Sequence, residues 1–279
     1  MRERRLAGAF TLIELLAVIA IMALIAAMVG PTLTHFRKGD VIQSASRQLQ
    51  DAVARARQMA ISDHTTVYLV FLPTNFWGND PITFLSQMTD EQKEVVTNLA
   101  DKQLIAYTFI SLHSVGDQPG MHTPRFLSTW EALPQGAFIP LWKFDTLHRV
   151  ITNPGTGETF DVRNFPTDVL FPFPTDDAAY NNTATPPQLA LPYVAFNYRG
   201  QLVDRKGDPL NFDEFIPLAH GSVHPILDAR KEAILMPPPS PPVGPIVSES
   251  PPNNSVISYN LVHIDRLTGR ARLERPEVQ

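Results

Sequence analysis

Between Phe10 and Gly30 the chain carries one ionisable side chain, Glu14, in an otherwise apolar run. At about 1.5 Å of rise per residue, a helix over that run is roughly 30 Å long, the depth of a bilayer's hydrocarbon core. Such a segment must be covered by lipid or by other helices, which limits what the rest of the chain can do. The carboxylate limits it further. An acid at the centre of a membrane helix costs roughly 2.5–3.5 kcal/mol or more, so intramembrane acids are found with partners. Arg2, Arg4 and Arg5 stand ahead of the run. By the positive-inside tendency they keep the N-terminus on the cytoplasmic face and send the residues after Pro31 to the other side.

Three readings compete for this segment. A secretory signal peptide shares the basic start and apolar core, with "AAM" as a small-residue cleavage region, but its core is shorter and has no use for an acid. A plain single-span anchor fits the length and also leaves Glu14 without a purpose. The third reading accounts for the acid through the string "FTLIELL" (10–16), preceded by a small residue and a basic leader. This string resembles the prepilin processing site of type IV pilins and type II secretion pseudopilins.

The resemblance implies that a prepilin peptidase removes the leader and methylates the new N-terminal residue, and that the acid at the fifth mature position faces the N-terminal amine of a neighbouring subunit. Assembly then pairs one buried charge with another, so the cost of the acid in lipid favours the filament. The family usually has Gly immediately before the mature Phe, whereas Ala9 stands here between Gly8 and Phe10. Cleavage after Ala9 makes Phe10 the methylated residue, keeps Glu14 fifth, and puts Pro31 where the family has its helix-kinking proline. The alternative cut, after Gly8, moves Glu14 to sixth place. Loss of residues 1–9 removes three arginines and one glutamate, which makes the chain more acidic than its formal net charge of −5.

Beyond Pro31 apolar residues recur at three- and four-residue spacing: Val41, Ile42, Ala45, Leu49, Ala52, Val53, Ala56, Met59 and Ala60. This pattern predicts an amphipathic helix over 32–62, loosened near Gly39 and Asp40. At Asp63-His64 the period changes. Strands are expected over 65–72, 104–112, 137–142, 191–198 and 256–264, and a short helix over 89–103 opened by a capping box of Thr89 and Gln92. A hairpin is expected around Thr268-Gly269. The stretch 152–187 reads as loop, and "PPPSPPVGP" (237–245) as a polyproline-like connector. The 26 prolines favour loops and edge strands throughout.

"SASRQLQDAVARARQMAISDHTTVYLVF" (44–71) resembles the H-type pseudopilins and the related FimT-like minor pilins, in which a helix runs directly into a first strand. "YVAFNYRGQL" (193–202) and "TGRARL" (268–273) resemble their later strand-turn and closing hairpin. The resemblance covers about the first 70 residues and short stretches after them.

Other constellations carry less. His220 and His224 stand at a zinc-like spacing, but Gly221 and Pro225 oppose a helix there and no third ligand is evident. Asp176, Asp177, Asn181 and Asn182 fit no calcium loop and read as a solvated turn. The acidic stretch 207–215 reads as solvent-facing. Trp77, Trp130 and Trp142 read as anchors of the core or of an exposed surface. No nucleophile elbow or triad is seen, so no catalytic residue is expected. The absence of cysteine excludes disulfides and thiolate metal sites.

The expectation is an α+β, type IV pilin-like fold. It has a leader (1–9), a transmembrane and filament-core helix (10–31), an amphipathic helix (32–62) and a β-rich, proline-rich periplasmic domain (63–279) with an antiparallel sheet. The implied partners are prepilin peptidase, other pilin or pseudopilin subunits and the inner membrane. Neither metal, cofactor nor nucleic acid is expected, the last because there is no long basic block beyond the leader. The competing class is a periplasmic enzyme or binding module held by an ordinary anchor.

Overall fold

The computed structural model describes residues 12–77, 85–86, 88–113, 123–145, 148–152, 157–175, 187–226, 244–257 and 260–274, with the helical backbone alone for 25–40. One helix, α1 (Leu12–Asp63), runs 52 residues. The loosening expected at Gly39 and Asp40 does not end it, because a lone glycine costs a helix only about 1 kcal/mol relative to alanine. The chain divides into two compact units between Asp40 and Val41.

In the second unit, the stripe read from the sequence is the buried one: Ile42, Ala45, Leu49, Ala52, Val53, Ala56 and Ala60 are all closed to solvent. Four of the seven are alanines, which let the helix backbone lie close to a sheet, while Leu49 and Val53 fill the space between. Burial of such a Leu or Val side chain is worth about 1.5–3 kcal/mol each.

The strands, in chain order, are β1 (Val67–Phe71), β2 (Ala106–Ser111), β3 (Arg125–Phe126), β4 (Glu131–Ala132), β5 (Ala137–Phe138), β6 (Arg149–Thr152), β7 (Thr159–Val162) and β8 (Leu170–Pro172). They continue with β9 (Gln188–Ala190), β10 (Tyr193–Phe196), β11 (Leu202–Val203), β12 (Glu214–His224), β13 (Ile246–Glu249), β14 (Asn260–Ile264) and β15 (Ala271–Glu274). Two short helices, α2 (Asp90–Ala100) and α3 (Asn254–Ile257), and a 3-10 turn at Leu141–Lys143 complete the described elements. The first sheet has the order β11-β10-β1-β2-β3, with β4 also on β2. The second has the order β13-β12-β14-β15, with β5 on β12. All of these pairings are antiparallel, as expected.

The first sheet is covered on both faces, which explains why its central strands read as continuous apolar runs rather than alternating ones. On one face Val67, Leu69 and Phe71 join the helix stripe and residues of the second sheet, Leu218 and Ile264 among them. On the other, Tyr68 and Val70 meet Val96 and Leu99 of α2 and the rings of Phe171, Phe173 and Tyr193. Thr89 caps α2 as anticipated: its hydroxyl accepts from the Gln92 amide, and the Gln92 side chain accepts from the Thr89 amide.

Several expectations are corrected. The strand expected over 137–142 stops at Phe138, since Pro140 lacks an amide donor and opens the 3-10 turn instead. The strand expected over 256–264 begins only at Asn260, because Asn254–Ile257 is helical. The stretch 152–187, read as loop, contains β7 and β8. Most important, 207–215 is not wholly solvent-facing. Glu214 is buried and opens β12, the longest of the described strands, whose Pro217 and Gly221 read as loop residues. Asp176, Asp177, Asn181, Asn182 and residues 237–243 lie outside the described residues.

Candidate functional site

The described part of the apolar segment is built from side chains that stand exposed. Leu12, Ile13, Leu15, Leu16, Val18, Ile19, Ile21, Met22 and Leu24 are all exposed, Leu12 to 81%. They point around the whole helix, so this is not an amphipathic face. A helix apolar all round is buried in lipid or in a bundle. Glu14 sits in the first turn of α1 and is solvent-accessible here. Acidic charge near a helix N-terminus is favoured by the unpaired amides there. Pro31 falls within α1; Gly8, Ala9 and Phe10 lie outside the described residues. Among the described residues, no helix is long and apolar enough to cross a membrane.

The body holds three polar constellations that the sequence did not announce. In the first, the Lys143 ammonium donates to Glu214 and to the carbonyl of Arg163, with its nitrogen 4.4 Å from the Phe165 ring centre. Burial pushes the lysine down and the carboxyl up, and each partner's charge works against that. In the second, His263 is held between carboxylates: Nε2 lies 2.9 Å from Asp213 and Nδ1 lies 3.1 Å from Glu274, with the ring stacked on Phe215. Burial works upward on Glu274, but hydrogen bonds from His263 and Arg272 win and hold it below the usual carboxylate value. In the third, Tyr107 accepts from Gln48 at 3.0 Å and donates to Glu131 at 3.2 Å, fixing α1 against β2 and β4. Burial pushes the Tyr107 hydroxyl up to about 12.

A cleft of about 450 Å³ opens between β10, β11 and the loop before β8, with Glu214 at one side. Several of its polar groups are engaged within the fold. Arg163 reaches Asp161 at 3.3 Å and covers the Phe212 ring at 4.2 Å, and Tyr193 donates to Asp168 at 2.8 Å. Burial raises the Tyr193 hydroxyl, and its bond to Asp168 raises it further. These contacts hold the surrounding loops; among the described residues lining the cleft no nucleophile stands beside a base.

The remaining candidates dissolve into structure. His220 and His224 lie on a strand, where residues four apart are roughly 13 Å from each other, and so do not share a metal. His220 Nδ1 is 2.9 Å from the carbonyl of Ser250. Among the described residues no group of three His, Asp or Glu side chains is placed to hold a metal ion. Trp77 is buried, while Trp130 and Trp142 are half-buried, their indole N–H groups donating to the carbonyl of Pro174 and the hydroxyl of Ser255. Lys143, Glu214 and His263 were missed because each is isolated in sequence and meets its partner only through β12 and β14.

Residues 4–30 match the model of the prokaryotic N-terminal methylation motif, the prepilin-type signal. The matched segment contains Gly8, Ala9, Phe10, Glu14 and the whole apolar run up to Gly30. It supports a relation to the type IV pilin and pseudopilin family and a role like theirs, with processing by prepilin peptidase and assembly with other pilin subunits. No curated protein and no solved structure matches the chain.

Proposed function

We propose that this protein is a minor pilin or pseudopilin, an H-type-like subunit of a type II secretion or type IV pilus-like filament. The prepilin peptidase cuts after Ala9 and methylates Phe10, and the subunit waits in the bacterial inner membrane as a single-pass protein with its domain in the periplasm. In the filament, Glu14 pairs with a neighbour's N-terminal amine and Pro31 kinks the helix. The work is structural, not catalytic. The large, irregular body suits a tip or initiation subunit better than a shaft, where every copy must repeat one contact.

The observation that carries this reading is the motif match over residues 4–30, which aligns with a helix whose side chains from Leu12 to Leu24 are exposed and apolar. The test is intact mass of the protein recovered from cells that contain the peptidase. The expected mature chain lacks residues 1–9 and carries one extra methyl group on Phe10. A mature chain beginning at Ala9 moves the cut to Gly8, and an unprocessed chain rejects the reading.

A further inference from the structure

The cleft beside β10 and β11 keeps hydrogen-bonding capacity that the fold does not use. On its wall, the Asn164 carboxamide and the Arg205 guanidinium have no partner among the described residues. Arg163 spends its Nε on Asp161 and leaves its terminal nitrogens without a hydrogen bond among those residues. The other oxygen of Asp161 stands 3.9 Å from His148. Asp168 accepts from Tyr193 with one oxygen, and Asp204 accepts from the amides of Lys206 and Asp208 with one oxygen. The second oxygen of each remains to accept more.

The charges of this wall are interleaved rather than separated. Arg163 lies 3.3 Å from Asp161, and Arg205 follows Asp204 in the chain. Lys143 and Glu214 balance each other at the cleft's edge. An anion drawn to either arginine therefore meets a carboxylate, and a cation drawn to either aspartate meets a guanidinium. A hydroxyl suits such a pair, because it donates to the carboxylate while accepting from the guanidinium. Between the polar groups the wall is apolar, with Val203, Leu210 and the half-buried Phe212 offering surface to C–H groups. The volume of about 450 Å³ falls in the range of small-ligand sites and has room for a sugar ring.

We propose that this cleft binds a neutral saccharide, free or as the end of a glycan. Its hydroxyls bridge Asn164, Arg205, Arg163 and the open oxygens of Asp168 and Asp204, and its C–H face lies on the apolar wall. The proposal does not rest on the filament reading, since every lining residue belongs to the domain and none to the N-terminal motif. A dipolar peptide gathers opposite charges at its two ends, whereas the cleft sets them side by side at each point.

The full chain is placed in nanodiscs, which avoid sugar-based detergents. Saturation-transfer NMR then probes lactose, maltose, cellobiose and diacetylchitobiose, and fluorescently labelled protein is read on an array of immobilised glycans. At least one neutral sugar is expected to bind with a Kd of about 1 mM or below, and to lose little affinity in high salt. Arg205→Ala is expected to weaken binding roughly tenfold and Asn164→Ala several-fold. Urea unfolding of both should match wild type, because neither side chain holds the fold, and Arg125→Ala on β3 should bind as wild type does. Binding of a free disaccharide assigns the sugar unit itself, and binding on the array alone assigns a longer glycan. No binding to any neutral sugar, affinity unchanged in both variants, or binding of triglycine, inorganic phosphate or anionic glycans in their place overturns the proposal.

Discussion

Lys143 donates to Glu214 with both side chains shut off from solvent, which ties the 3-10 turn to the first residue of β12. A buried pair is held in place by mutual need more than by net stability. Removing one partner strands a charge and costs about 3–5 kcal/mol, whereas replacing both with apolar groups is often neutral. Glu214→Gln is therefore expected to destabilise strongly, and Lys143→Met/Glu214→Leu much less, in urea unfolding of the two variants. The pH dependence follows from the direction of the lysine shift. Burial pulls the lysine below the ordinary 10.5 and Glu214 works against it, so in the variant without Glu214 stability is fullest above that value, where the lysine is neutral in both states, and is lost as pH falls through the folded one. Without Glu214, unfolding should become easier as the buffer is taken from mildly alkaline toward acid. A variant equally stable across that range would show that Lys143 is not confined as described.

Gly269 sits at a φ of +61°, and a methyl group there would meet the Gly200 carbonyl. Gly207 has a similar φ of +85° with nothing within 4 Å of its virtual Cβ. The two positions separate backbone strain from collision. Gly207→Ala is expected to cost only the left-handed penalty, roughly 1–2 kcal/mol. Gly269→Ala is expected to cost several kcal/mol, since backbone must move, and to part the turns that hold Gly269 and Gly200. Equal losses in denaturant unfolding would mean that the turns are not in contact in solution.

The helix stripe, the capping box and the first-sheet strands were legible because each is a local pattern: period, cap and β-branched run all agree there. β12 was not. Its Pro217 and Gly221 look like loop punctuation, yet Pro217 faces Leu261 across a ladder that tolerates one missing donor. Glu214 was misread for a related reason. Next to Asp213 it looks like one of two solvated acids, and only the fold shows that neighbours on a strand point to opposite sides, one to Lys143 and one to His263. The N-terminal candidates run the other way. Their chemistry is written in a short string, and partners outside this chain complete it.

His263 bridges Asp213, just before β12, and Glu274, at the end of β15, so three segments share one ring. Glu274 is held below the ordinary 4.5 by His263 and Arg272 despite the opposing effect of burial. A depressed carboxyl adds stability that is present above its unfolded value and lost as pH falls through the folded one. Amide exchange of β15 should accelerate as pH drops below about 4.5, once corrected for intrinsic rates, and Glu274→Gln should abolish that acid-dependent step. A protection profile for β15 that stays flat in acid would remove the bridge from this account.

Glu14 is expected to matter for assembly and not for cleavage. The proposed cut lies several residues ahead of it, so Glu14→Ala leaves the peptidase its site, and intact mass should show loss of residues 1–9 at the wild-type level. The gain on assembly is different. In the proposed filament, a carboxylate that costs roughly 2.5–3.5 kcal/mol in lipid is relieved when it meets a neighbour's amine, and alanine gives that relief away. Every 1.4 kcal/mol is a factor of ten, so incorporation into isolated filaments should fall by about tenfold or more. Glu14→Gln separates charge from polarity. It keeps a hydrogen-bonding group but cannot pair with an ammonium, and it should fall with alanine if charge pairing is the cause. Wild-type incorporation of both variants would leave the acid in the apolar run without an assembly role.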